Sequence, residues 1–108
     1  MTDLERIMMM PVVLPRAWKD TLMERRRQVE VKGFDAMNDD AYPDGEMESA
    51  ACCFALSSLG PGYDNFSTRA FPWGRKYYEK MHSNTHRRNL VVAAALLLAA
   101  IERLDRKE

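Results

Sequence analysis

The longest apolar run in the chain is Leu90 to Ile101, twelve residues without a polar side chain. Ser83-Asn84-Thr85 precedes it as a cap-rich lead-in, so the run predicts a helix over about His86 to Arg106. A helix that is apolar all round is buried on most sides. A domain of about four helices has few others with which to surround it. A homodimer or higher oligomer is therefore expected to complete the cover.

Upstream, the pattern is more polar. Thr2-Asp3-Leu4-Glu5 fits a capping box, which predicts a short helix to about Met10, ended by Pro11. Pro15 suits the first turn of a second helix. Trp18, Leu22, Arg25 and Val29 follow at spacings of four, three and four, with Met23 nearby, a narrow apolar stripe on a charged helix. Gly33 is its natural stop. The segment from Phe34 to Pro43, with Asn38, Asp39 and Asp40, reads as a loop. Asp44 is placed to cap a third helix, with Glu46 and Glu48 near its positive end, running to about Ser58 and stopping at Gly60-Pro61-Gly62.

The third helix is small in its middle (Ala50, Ala51, Cys52, Cys53, Ala55), and so is the last (Ala93, Ala94, Ala95, Ala99, Ala100). Helices with small side chains at their contact approach closely. These two are expected to form a central antiparallel pair. The connection from Gly60 to Ser83 holds six of the ten aromatic residues, Tyr63, Phe66, Phe71, Trp73, Tyr77 and Tyr78. A loop this long in a compact domain is often functional. Within it, Tyr77 to Met81 reads as a short helical turn. The expected fold is one all-α domain over residues 1–108, a small bundle of about four helices.

Composition narrows the function classes. At 108 residues, with 46% hydrophobic and 30% charged residues, the chain is an ordinary globular domain. The formal net charge is zero, from 16 basic and 16 acidic residues, which argues against nonspecific nucleic-acid binding. The apolar run is shorter than the roughly 20 residues a bilayer span needs. Adjacent Cys52 and Cys53 read as small buried hydrophobes, reduced in a cytosol, with no zinc spacing. Charge is segregated. Residues 33–68 contain no Lys or Arg and seven acids, whereas residues 69–88 contain six basic residues and one acid. The plain expectation is that these two segments pack side by side or face symmetry mates.

Arg87 and Arg88 fall in the first turn of the last helix, where the helix dipole disfavours cations and favours anions. The pair therefore points to an anion at that end. Phe71, Trp73, Arg75, Tyr77, Tyr78, Arg87 and Arg88 together form a ligand-binding candidate: rings for stacking on a base, guanidinium forks for phosphate. No catalytic residue is assigned. A second candidate is acidic, Glu46 and Glu48 with Glu102 and Asp105, which could hold Mg²⁺ for phosphate hydrolysis. His82 and His86 are four apart, but Ser83, Asn84 and Thr85 are expected to break the helix between them, so they are no metal site.

Two stretches resemble a small, largely uncharacterised family of phage and prophage proteins. The first is Glu24 to Cys53, carrying Arg27-Gln28-Val29-Glu30, Gly33-Phe34, Asn38-Asp39-Asp40 and Gly45-Glu46. The second comprises Pro72-Trp73, Arg87-Arg88-Asn89-Leu90-Val91 and Ile101-Glu102-Arg103-Leu104-Asp105-Arg106. Together they cover over half the chain. The resemblance implies a phage accessory protein working in a bacterial cytoplasm. A partial resemblance, through Glu102 to Asp105, is to all-α MazG-like nucleotide pyrophosphatases, which imply Mg²⁺. Glu46 and Glu48 do not complete that family's first motif. The leading expectation is a non-enzymatic protein that holds a phosphorylated, nucleotide-like ligand and sequesters a host immune signal nucleotide. The alternatives are the Mg²⁺-dependent pyrophosphohydrolase, and an inhibitor that contacts a host defence enzyme through the acidic segment.

Overall fold

The computed structural model describes residues 2–9, 13–30, 36–60, 62–63 and 71–107. The stops expected at Pro11, Gly33 and Pro61, together with Asp35, Asp64 and Phe66, lie outside these residues. The described elements are α1 (Asp3–Met8), α2 (Arg16–Glu30), α3 (Ala36–Asp40), α4 (Glu46–Leu56), α5 (Arg75–Ser83) and α6 (His86–Arg106). Among the described residues there is no strand, and no helix is long and apolar enough to cross a membrane. The fold is an all-α bundle built mainly from four longer helices, with α1 and α3 as short additions.

α6 is the axis of the molecule. It packs most extensively on α4 and, along another side, on α2. Contacts at both ends show that α4 and α6 are antiparallel. Asn89, at the start of α6, donates to Ser57 Oγ just past α4 at 3.0 Å. At the far end, Asp44, just before α4, meets Arg103 at 3.1 Å and Lys107 at 3.3 Å. Between these ends Ala50, Ala51, Cys53 and Phe54 bury against Val92, Ala93 and Leu96, with Met81 of α5 closing the cluster. A second cluster joins Met47 to Ala99 and Ala100. The small-residue pairing read from the sequence is the core of the fold.

The caps explain where helices begin. Thr2 and Glu5 form the expected box: the Glu5 amide donates to Thr2 Oγ1 at 3.1 Å and the Thr2 amide to Glu5 Oε2 at 3.2 Å. Thr85 Oγ1 accepts from the Arg88 amide at 3.1 Å, so Arg87 and Arg88 do occupy the first turn of α6. At α4 the cap differs from expectation. Gly45 takes the N-cap position at φ 85°, a conformation glycine adopts without penalty, and Asp44 turns to Arg103 and Lys107 instead.

Four further expectations are corrected. The segment read as a loop contains α3, which packs on α6 and is tied to α2 by Arg25, bound to Asp39 at 3.1 Å. The turn at Tyr77 to Met81 is part of a nine-residue helix. Cys53 is buried but Cys52 is exposed. Most consequentially, α2 buries only Arg25 of its stripe and half-buries Leu22. Its buried residues are Glu24, Arg25 and Gln28, while Trp18, Met23 and Val29 are exposed. The surface it meets on α6 carries Arg87, Arg88 and Glu102, so charge selects the buried face.

Candidate functional site: an arginine groove at the start of the last helix

Asp20 and Glu24 lie one turn apart on α2 and reach the first turn of α6. Asp20 meets Arg87 at 2.8 Å and Arg16 at 3.6 Å. Glu24, only 2% exposed, accepts from Arg27 at 2.7 and 2.8 Å and from Nη2 of Arg88. Each carboxylate is thus bracketed by two arginines. Burial alone pushes the Glu24 carboxyl up. Hydrogen bonds from Arg88 and Arg27, with their charges, overcome that penalty and hold it below the usual carboxylate range.

These six side chains line an open groove of ≈ 500 Å³ beside Thr85, the N-cap of α6. Four guanidiniums face two carboxylates, which leaves a positive surplus of two charges there. The N-terminal end of α6 adds its own partial positive charge. Such an assembly can take an anion with several oxygens, and arginine forks suit phosphate geometry.

Glu24, Arg27 and Arg88 also line a second, narrower space of ≈ 40 Å³, whose walls include Phe54, Trp73 and Tyr77. It has room for a water or two, not a nucleobase. Gln28 lines it as well. The Gln28 amide nitrogen donates to Glu24 at 3.3 Å, but its Oε1 is buried without a hydrogen-bond partner among the described residues. An orphaned buried acceptor is costly. It marks this space as suited to a donor.

The aromatic residues form a chain of ring contacts. Phe71 stands 5.8 Å from Phe54, 6.3 Å from Trp73 and 6.1 Å from Tyr78, centroid to centroid. Trp73 lies 5.4 Å from Tyr42 and 5.9 Å from Tyr77, and its Nε1 donates to Glu46 at 2.9 Å. Phe71, Trp73 and Tyr78 pack on one apolar cluster of the α4–α6 core, and Tyr42 and Trp73 on the other.

Of the seven ligand-binding candidates, Arg87 and Arg88 meet in the groove, and Trp73 and Tyr77 join Arg88 at the narrow space. Phe71 and Tyr78 line neither. Arg75 is exposed and pairs with Glu79 of its own helix at 2.7 Å. The acidic candidates do not assemble. Glu102 binds Arg25 at 2.8 Å, Glu46 binds Trp73, and Glu48 and Asp105 are exposed. Among the described residues no group of three or more His, Cys, Asp or Glu is placed to hold a metal ion. His82 and His86 fall on separate helices, as expected.

The segregated charges pair differently from expectation. Asp39, Asp40 and Asp44 are bound by Arg25, Arg106, Arg103 and Lys107, whereas Arg87 and Arg88 turn to α2. Sequence reasoning missed Arg16, Asp20, Glu24, Arg27 and Gln28 as site residues. Their signal was present: two acids four apart, with an arginine one turn before and another three residues after, on one face of α2. Compared with family models, with curated proteins and with solved structures, the chain matches none.

Proposed function

We propose that this chain is a non-enzymatic binding protein whose arginine groove holds the phosphate of a nucleotide-like ligand. The observation that carries the reading is the ratio in the groove, four arginines to two carboxylates at a helix N-terminus. Phosphate oxygens would compete with Asp20 for Arg16 and Arg87, both on the groove's open side. A donor group of the same ligand, or a bridging water, would satisfy Gln28 Oε1. Base stacking on Trp73 requires the Trp73–Tyr77 contact to open, since the space beside it is too small for a ring. The resemblance to phage proteins supports sequestration of a host signal nucleotide as the purpose.

A thermal-shift screen of nucleotides, cyclic nucleotides and inorganic phosphate, with and without Mg²⁺, tests this. The expected result is a rise in Tm with phosphorylated compounds, without turnover. Asp20→Asn frees two arginines and should tighten binding of the best compound severalfold. If no phosphorylated compound raises Tm at millimolar concentration, or if Asp20→Asn and Arg87→Gln leave affinity unchanged, the groove is a structural ion-pair cluster. Mg²⁺-dependent release of pyrophosphate would establish the enzymatic reading instead.

A further inference from the structure

The geometry points to an antiparallel homodimer joined along the outer face of α6. Among the described residues, α2 and α4 cover two sides of that helix and leave a third exposed. Leu90, Leu97, Ile101 and Leu104 are 45%, 44%, 53% and 60% exposed there, with Ala94 half-buried between them. Their spacing is four, three, four and three. That is the a/d seam of a coiled coil, with Leu at three d positions and Ala94 and Ile101 at a. Trp18, 62% exposed, widens the face from α2 beside Leu98. A contiguous apolar patch of this kind marks an interaction surface.

The partner that fits is a second copy, turned end for end about Leu97. Leu90 then faces the partner's Leu104, and small Ala94 faces the partner's larger Ile101, so the seam is filled without collision. Charge makes the same choice. Eighteen residues, five whole turns, separate Arg87 from Asp105, so both stand on one edge of the helix. They lie about 15 and 12 Å on opposite sides of Leu97. An antiparallel pair brings Arg87, which also holds Asp20 of its own chain, near the partner's Asp105 twice. A parallel pair would set the two copies of that edge on opposite flanks and form neither contact. Because α6 is already ordered by α2 and α4, this short seam need not offset the cost of folding a helix.

Sedimentation equilibrium on the ligand-free full chain tests the proposal. The wild type is expected at twice 12.5 kDa at micromolar concentration. Leu97→Glu should reduce it to one chain while keeping its helical circular dichroism and cooperative melting, since Leu97 is not in the core. Asp105→Asn should weaken association by about three- to tenfold. A wild type that stays monomeric at 100 micromolar overturns the proposal and leaves the face to another partner. A dimer that survives Leu97→Glu, or one that tightens in Asp105→Asn, overturns the seam or its direction.

Discussion

Arg88 reaches across 64 residues of sequence to bond Glu24, a carboxylate that water hardly touches. This one contact decides what the arginine pair of α6 does in the empty protein. The two cations at a positive helix end are offset by carboxylates from α2, not left bare for a ligand. Arg88 is tied to a buried acid and Arg87, 45% exposed at its side chain, to the more open Asp20.

The two arginines should therefore differ in stability. Arg88→Gln strands Glu24 with one guanidinium fewer and should cost about 2–4 kcal/mol. Arg87→Gln removes a partly exposed pair and should cost under about 1 kcal/mol. Urea unfolding of both variants without ligand checks the order. Equal losses would contradict the difference in burial.

Glu24 gives a pH signature. Its folded-state pKa lies below its ordinary value of 4.5, so its contribution is complete above that pH and is lost as pH falls through the folded value. Glu24→Gln should cost about 3 kcal/mol or more at pH 7. The gap between variant and wild type should close as the solution is taken below pH 4.5. Asp39 works in the opposite sense. Burial raises its pKa above 3.8 despite Arg25, so its stability contribution is present in acid and is lost as pH rises through the folded value. Unfolding curves from pH 3 to pH 7 for wild type, Glu24→Gln and Asp39→Asn separate the two.

Asn89 is the polar keystone of the bundle. It is fully buried, donates to Ser57 Oγ and to the Met81 carbonyl at 2.9 Å, and accepts from Asn84 at 3.0 Å. Asn89→Ala leaves buried partners unsatisfied at the ends of α4 and α5 and should cost about 2–4 kcal/mol. Asn84→Ala, at a half-buried position, should cost under about 1.5 kcal/mol. Chemical denaturation measures both.

Gln28→Met removes an orphaned acceptor and only a weak bond to Glu24, so the empty protein should change by less than about 1 kcal/mol. The same variant should weaken a ligand or a buried water that uses Gln28 Oε1. Calorimetric titration with a compound found by thermal shift reads this second effect.

Much of this architecture was legible because helices with small middles carry their own signature. Ala50, Ala51, Ala93 and Ala99 named the central pair, and Thr85 named the start of α6. The buried face of α2 was not legible. Periodicity assigns Trp18, Leu22, Arg25 and Val29 to one face, of which only Arg25 is buried, because the partner surface is decided by Arg87, Arg88 and Glu102, more than 55 residues away in sequence. Likewise Asp39 looked like part of a loop because its partner, Arg25, is invisible to a local reading. Arg87 and Arg88 were legible as an anomaly, but the acids that answer them were not. Arg75, equally basic, is spent on its neighbour Glu79.

The two flanks of α6 are held by different physics. Toward α4 the contact is hydrocarbon among alanines, valines and Cys53, which salt does not screen. Toward α2 it rests on Asp20, Glu24 and Arg25 with their partners, where salt softens the more open Asp20 pairs and acid softens Glu24. The bundle therefore has a built-in order of loosening. Salt acting on the Asp20 pairs and acid acting on Glu24 loosen α2 first, while the packed α4–α6 pair persists as the last cooperative unit.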